Sequence, residues 1–260
     1  MMKLIHSFDT EALATLLQQD ASLSENLQQY LLFDGALNPG LLKHIRLSGM
    51  PWLSVFTQSD DGDEQLMSAS PLLVQWEELR YAQIQRFLMQ CDGMPMVSVW
   101  RTPESLPELA ARLLPWCVVK ADDQHFNLRF PDTRRLVDIV GVLDDEQRGQ
   151  FFGPAVLCVV PTRFGAWETL AMPREALPLA EKAVLNAEQT LALIRAGEAD
   201  ETLYHMQFHR AIRPEVLADC HPAVEQALSQ ADKNGVDAPD ERYQCCLDAL
   251  RDPAAFNLRG

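Results

Sequence analysis

The hydrophobic periodicity of this 260-residue chain changes once, near residue 172. Before that point, short apolar runs of strand length alternate with stretches of helical spacing. After it, no further strand-like run follows, and apolar residues recur at helical spacing alone. We therefore predict an α/β N-terminal lobe over residues 1–172, a mixed sheet flanked by helices on both faces, followed by an all-helical C-terminal lobe over residues 173–260.

The predicted elements of the first lobe follow from these runs. The predicted strands are residues 29–34, 51–57, 71–76, 95–100, 115–121, 125–130 and 154–161. The predicted helices are residues 8–20, 79–90, 104–114, 134–143 and 144–151. In the second lobe the periodicity predicts four helices, with a helix stop at Gly197, a start at Pro222 and another stop at Gly235.

The charge and the cysteines restrict the partners and the compartment. The formal net charge of −15 leaves no basic patch for a phosphate backbone, so we expect no nucleic-acid partner. The six cysteines form no CxxC pair. The N-terminal residues lack the apolar core of a signal peptide, and no run has the length of a transmembrane helix. The expected location is a reducing cytoplasm, without a membrane partner.

Two histidines give the best candidate for a metal site. His205 and His209 stand four residues apart on a predicted helix, which could place both imidazoles on one ion. The general-base glutamate of zinc hydrolases is absent, because Met206 follows the first histidine. A third ligand would have to be His221 or a distant acid. A polar helix face is the favoured interpretation, so no metal is predicted.

No set of residues predicts a reaction. There is no GxSxG elbow, no glycine-rich phosphate loop and no cysteine-protease signature. The acids at 60–64 suit a solvated loop tip, and those at 122–123 and 144–146 suit a turn or a helix N-terminus. We therefore expect a protein that is not an enzyme and that has no cofactor.

The most structured polar segment is Arg129–Arg134, which follows a predicted strand and opens a predicted helix. Asp132 is well placed as the N-cap of that helix. Arg129 lies in the strand and Arg134 in the first helical turn, so Asp132 is expected near either arginine, where it could join both in an ion-pair network. The favoured interpretation is that these residues fix a strand-to-helix corner.

Five segments, in order, carry a resemblance to a known family. They are Tyr30–Ala36 (YLLFDGA), Trp52–Phe56 (WLSVF), Ser70–Val74 (SPLLV), Phe126–Arg134 (FNLRFPDTR) and Phe151–Pro154 (FFGP). The series resembles the adaptor, or effector chaperone, family of bacterial type VI secretion over roughly residues 25–160. The chain departs from the family pattern at Pro131, where the family has an aromatic residue, and at Thr133, where it usually has proline.

The resemblance implies a non-catalytic protein of the Gram-negative cytoplasm. Members bind a toxic effector protein and help to load it onto the VgrG spike protein, usually through the C-terminal extension of the spike. It also makes Tyr30, Asp34, Arg129, Asp132 and Arg134 family-motif residues, for which we expect structural roles.

The expected contact with the effector lies in the C-terminal lobe. That lobe is the more acidic part per residue, and Tyr204 and Phe208 are aromatic groups of the kind enriched at interface anchors. The opposing interpretation places both in the core. Two alternatives to the adaptor remain: a toxin-binding immunity or structural protein, and a metal-dependent hydrolase using His205 and His209.

Overall fold

The computed structural model describes residues 3–19, 26–76 and 81–251. The strands are β1 Gln28–Asp34, β2 Trp52–Ser54, β3 Pro71–Gln75, β4 Val97–Thr102, β5 Val118–Ala121, β6 Gln124–Asn127, β7 Leu157–Pro161, β8 Trp167–Thr169 and β9 Val184–Leu185. The helices are α1 Thr10–Gln19, α2 Leu41–Ser48, α3 Glu64–Ala69, α4 Tyr81–Cys91, α5 Leu106–Cys117, α6 Thr133–Val142, α7 Asp145–Phe152, α8 Ala187–Phe208, α9 Leu217–Lys233 and α10 Pro239–Arg251. Gly35–Leu37 and Pro214–Val216 form 3₁₀ turns. In these ranges no helix combines the length and apolar character needed to cross a membrane.

A six-stranded sheet organises the first part of the chain. Its order is β2-β3-β1-β4-β7-β8, and the described pairings between neighbours are antiparallel. Successive side chains of a strand point to opposite faces. In β1, Tyr30 and Leu32 pack on one face, while Leu31 and Phe33 pack on the other. The strands are therefore apolar runs, because both faces of the sheet are buried.

Helices cover both faces, as the sequence predicts. Helices α5, α6 and α7 cover the face of Tyr30 and Leu32, and helices α1, α2 and α4 cover the other. We call the buried cluster on the face of Tyr30 and Leu32 the first core. It contains five buried aromatic rings with centroids 5.0–5.7 Å apart: Trp100, Trp116, Phe130, Phe151 and Phe152. Three of these rings belong to the segments that carry the family resemblance.

A second, three-stranded sheet corrects two expectations. Its order is β6-β5-β9, with β5 and β6 antiparallel and β5 and β9 parallel. The mixed pairing predicted for the main sheet thus occurs, among the described strands, in this small one. Strand β9 also lies after residue 172, where no strand was expected. Two residues are too few to show an alternating pattern, and neither β8 nor β9 was detectable from periodicity.

The chain remains on the first core until α8 begins. Ala180, Ala183 and Leu185 are buried against the same cluster as Trp100. Asn186 then caps α8, its side chain accepting a hydrogen bond of 2.8 Å from the backbone N–H of Gln189. The helical C-terminal part therefore starts at Asn186.

That part has three α-helices in the described residues instead of four. Helix α8 runs through Gly197, which was predicted to be a stop. The carbonyl of Gly197 accepts a hydrogen bond of 3.2 Å from Arg135 Nη2, and a Cβ there would stand 3.1 Å from Arg135 Nη1. The glycine lets an arginine approach the helix and does not end it.

Of the other two predicted helix boundaries in this part, one is confirmed. Gly235 adopts φ +68° just beyond α9, as a helix stop requires. Pro222 was predicted to start a helix, but it lies inside α9. The turn at Pro214–Val216 leads into α9 five residues before Pro222, whose ring then removes one backbone donor without ending the helix.

Two short helices were missed. Helix α2 buries Leu41, Leu42 and Ile45. Helix α3 begins at the end of the acidic run 60–64, where the Asp63 carboxylate accepts a hydrogen bond of 2.8 Å from the N–H of Leu66. One residue of the predicted helix 8–20 and two of the predicted helix 79–90 lie outside the described residues.

Gly35, directly after the motif residue Asp34, provides a test of this packing. A Cβ there would lie 2.5 Å from the carbonyl oxygens of Ser68 and Ser70, so backbone must move. Gly35→Ala is expected to lower the free energy of unfolding by about 1–3 kcal/mol, as overpacking typically does. The matched control is Gly141→Ala in α6, where no atom lies within 4 Å of the added Cβ.

Removing a helical glycine should raise the stability of the Gly141 variant by about 0.5–1 kcal/mol. Urea denaturation of both variants measures the contrast. Equal effects of the two substitutions would contradict the packing described around Gly35.

Candidate partner-binding site

One carboxylate joins α8 to the α/β part of the chain. Asp200 of α8 accepts two hydrogen bonds of 2.8 Å from Arg163, in the turn between β7 and β8, and one of 3.1 Å from Arg134 of α6. Arg135 Nη2 lies 3.3 Å from Asp200 Oδ2. Burial alone would raise the pKa of Asp200, but the Arg163 hydrogen bond and the three guanidinium charges lower it to about 2. Asp200 is therefore ionised at any physiological pH.

Two further titratable groups lie beside this cluster. Burial raises the pKa of Asp138 to about 6, against the charges of Arg135 and Arg163, which lower it. Burial, together with the charge of Arg163, lowers the pKa of His221 to about 4. Within the described residues, His221 Nε2 has no hydrogen-bond partner. With its pKa lowered chiefly by burial, His221 is neutral at physiological pH.

The family-motif residues form the predicted corner with a different pairing. As predicted, Asp132 caps α6: its carboxylate accepts a hydrogen bond of 3.1 Å from the N–H of Arg134, and Arg134 Nη2 lies 2.7 Å from its second oxygen. Arg129 does not join Asp132 through its side chain. Its guanidinium donates a hydrogen bond of 2.6 Å to Asp34, 95 residues earlier in the sequence.

Asp34 connects the end of β1 to this corner. One of its carboxylate oxygens accepts from Arg129, and the other accepts a hydrogen bond of 3.0 Å from the N–H of Ala36. A small cleft of about 170 Å³ lies between this pair and Phe56 and Pro131. Asp34 is buried, whereas nearly half of the Arg129 side chain is exposed. The pair closes the corner, and the arginine is the part that a partner can reach.

Tyr30 also has a structural position. Its hydroxyl donates a hydrogen bond of 2.9 Å to the carbonyl of Glu104, and burial, with the charges of Glu104 and Glu108, raises its pKa to about 12. Glu104 in turn accepts hydrogen bonds of 2.7 and 2.8 Å from the buried Arg112. Sequence reasoning missed Arg112 and Glu104, because helical spacing predicts contacts only between residues three or four apart.

Tyr204 and Phe208 lie on the surface of α8, and the expectation that they are available to a partner agrees with their exposure of 59% and 71%. They stand four residues apart on one face, and Ile194, 63% exposed, extends that face towards the start of the helix. We call Ile194, Tyr204 and Phe208 the aromatic face of α8. The core of the helical part is formed instead by residues such as Leu203 and Met206.

His205 and His209 line a different surface, an open cavity of about 480 Å³ between α8 and α10. Their rings are stacked with centroids 6.5 Å apart. Glu198 at this cavity is already bound to Arg242 at 2.6 Å. No group of three or more His, Cys, Asp or Glu residues in the described ranges has the arrangement of a metal site.

The buried thiols are poorly suited to nucleophilic chemistry. Burial raises the pKa of Cys117 to about 12 and raises that of Cys158 well above its ordinary value. Both side chains belong to the first core. They act as small apolar groups at neutral pH.

Substitution of Asp200 tests the junction. Asp200→Ala removes the one carboxylate that three arginines share. Arg134 and Arg135 keep Asp132 and Asp138, but Arg163 is left without an ion-pair partner among the described residues, in a poorly solvated site. Loss of one partner of a buried ion pair typically costs about 3–5 kcal/mol. We expect a loss of this size in the free energy of unfolding measured by chemical denaturation. Relative to the wild type, amide hydrogen exchange should become faster in α8 by a larger factor than in β1. A loss below about 1 kcal/mol would contradict the role assigned to Asp200.

Asp138 gives a prediction of opposite sign. Its pKa is about 6 when folded and near 3.8 when unfolded, so its contribution to stability is fully present below pH 3.8 and is lost as the pH rises through 6. At pH 7.5 the charged carboxylate is unfavourable. Asp138→Asn is expected to raise the free energy of unfolding by about 1–2 kcal/mol at pH 7.5.

The gain should fall towards zero at pH 4, where the wild-type carboxyl is also neutral in the folded protein. Denaturation at both pH values measures the difference in the free energy of unfolding between the variant and the wild type. The titration of His221 does not affect this difference, because both proteins contain that residue. A gain that does not depend on pH would show that Asp138 is not the titrating group.

Comparison with known families gives one match. Residues 29–150 match the family model of a domain of unknown function, DUF4123, which covers a little under half of the chain. The matched range contains Tyr30, Asp34, Arg129, Asp132 and Arg134, and ends before α8. Searches of curated proteins and of solved structures found no match.

Proposed function

We propose that this protein is a non-catalytic adaptor that binds a type VI secretion effector in the cytoplasm and helps to load it onto the VgrG spike. The observation that supports this most strongly is the Asp34–Arg129 hydrogen bond of 2.6 Å. It joins two segments of the ordered motif series that are 95 residues apart. The two segments therefore meet at one corner of the fold, and the matched family domain covers both of them.

The distribution of roles also favours a binding protein. Tyr30, Asp34, Asp132 and Arg134 hold the α/β part together and are largely buried. The large exposed apolar groups of α8 lie outside the matched domain, on a helix anchored by Asp200. A common scaffold with a separate, exposed helical surface suits a family whose members carry different effectors.

The titratable groups support the non-catalytic part of the proposal. Those with strongly shifted pKa values are buried thiols, a buried tyrosine, members of the Asp200 cluster and Arg242. Arg242 lines the cavity between α8 and α10, but its guanidinium is held in ion pairs of 2.6 Å with Glu198 and Asp232. Each has a packing or ion-pairing reason for its shift. Such shifts mark catalytic groups only where they face a cleft.

The aromatic face of α8 is the proposed contact with the effector. Tyr204→Ala combined with Phe208→Ala should weaken capture of the effector at least about tenfold, since aromatic anchors at interface centres are often worth 2 kcal/mol or more. Because both side chains are exposed, the melting temperature should change little. Capture is measured by pull-down with the effector that co-purifies with the wild-type protein.

The matched control is Leu47→Ala combined with Met89→Ala. These side chains are 75% and 72% exposed on α2 and α4, in the α/β part. The control should retain full capture. Equal capture by both double variants would contradict the assignment to α8, and failure of the wild type to capture the effector would contradict the adaptor proposal itself.

A further inference from the structure

A groove lies at the C-terminal end of α8, between the turn that follows this helix and α10. It has a volume of about 510 Å³. Its floor is formed by four partly buried aliphatic side chains: Ile212, Val216, Leu247 and Leu250. Three arginines line its edge: Arg210, Arg213 and Arg251. We call this surface the arginine groove.

The charge of the arginine groove is opposite to that of the whole chain. The formal net charge is −15, yet three arginines meet here. Arg251 lies 3.4 Å from Asp248 in an exposed pair. The Arg210 and Arg213 side chains are exposed and make no ion pair with any residue of the described ranges. The guanidinium groups of Arg210 and Arg213 therefore lie at the edge of an apolar floor, with no ion-pair partner among the described residues.

The backbone at Arg210 is unfavourable for an arginine. The N–H of Ala211 binds the carbonyl of Met206 at 2.8 Å, and the N–H of Arg210 binds that of Gln207 at 2.9 Å, which together close α8. This ending places residue 210 at φ +60°, a conformation in which glycine is usual. An arginine is thus held where glycine would fold more easily, and the ending directs the chain along the groove.

We propose that the arginine groove binds an acidic amphipathic helix of a protein partner. The four aliphatic side chains suit apolar residues at i, i+3 or i+4 and i+7 of such a helix, and the two arginines suit acids beside them. The acidity of the rest of the chain disfavours nucleic acid. The proposal rests on the adaptor function only for the biological source of the helix, because the groove itself lies apart from the aromatic face of α8.

The test uses the full-length protein and a synthetic helical peptide with leucines at i, i+3, i+4 and i+7 and glutamates on its flanks. A matched peptide carries lysine in place of each glutamate. Fluorescence anisotropy is expected to show binding of the glutamate peptide, at least about tenfold weaker binding of the lysine peptide, and weakening by salt. Methyl NMR should show chemical-shift changes on addition of the glutamate peptide at the groove residues Ile212, Val216, Leu247 and Leu250.

Two variants separate binding from folding. Arg210→Glu combined with Arg213→Glu should lower the affinity for the glutamate peptide at least about tenfold, since two attractive charge interactions become repulsive. The control, Arg195→Glu combined with Lys233→Glu, changes the net charge equally outside the groove and should bind as the wild type. Arg210→Gly should raise the melting temperature while weakening binding, a combination that damage to the fold cannot produce.

Three results would overturn the proposal: equal binding of the two peptides, equal binding by the two charge-reversal variants, or methyl shifts confined to other residues. Concentration-dependent dimerisation that the Arg210/Arg213 reversal abolishes would also overturn it, by showing that a second copy of the chain occupies the groove. None of these measurements uses the effector or the spike, so failure here leaves the adaptor proposal standing.

Discussion

Asp200 is the charge on which the arrangement of this protein depends. Arg134 and Arg135 of α6 and Arg163 of the β7–β8 turn point to the same place, where their side chains are 15–24% exposed. Their mutual repulsion in a poorly solvated site would be unfavourable without an anion. Asp132 and Asp138 of the α/β part pair with Arg134 and Arg135, and Asp200 of α8 supplies the carboxylate that all three arginines share. Docking of the helical part therefore completes the charge balance of the cluster. The carbonyl of Arg163 also accepts a hydrogen bond of 2.8 Å from His6, which brings the N-terminal segment to the same junction.

The sequence predicts best where one local signal decides the structure. Both faces of the main sheet are buried, so β1, β3, β4 and β7 appear as apolar runs of strand length. The N-cap at Asp132 depends only on the residues that follow it. Strand β8 pairs with the preceding strand β7 but has only three residues. Strand β9 has two residues, and its pairing with β5 joins Val184 to Lys120, far along the chain. Local pattern does not contain that information.

The errors have a common physical origin in contacts between distant residues. Asp132 was expected near Arg129 or Arg134 and pairs with Arg134, but the possible network with both arginines does not form, because Arg129 binds Asp34, which β1 brings to the same corner. Gly197 was predicted to be a helix stop, yet α8 runs through it, and the missing side chain instead leaves room for the guanidinium of Arg135. The exposed position of Tyr204 and Phe208 was one of two open alternatives. The structure decides it, because the nearby Leu203 and Met206 occupy the core face of α8.

These features separate a scaffold from the surfaces available to partners, which is the central claim of the adaptor account. The most direct measurement is reconstitution of the complex from three purified proteins: this chain, the effector that co-purifies with it and the VgrG spike with its C-terminal extension. Size-exclusion chromatography with light scattering should show one complex that contains all three, and no stable effector–spike complex without this chain. A binary complex with the effector that excludes the spike would contradict the account and would identify a toxin-binding immunity protein instead.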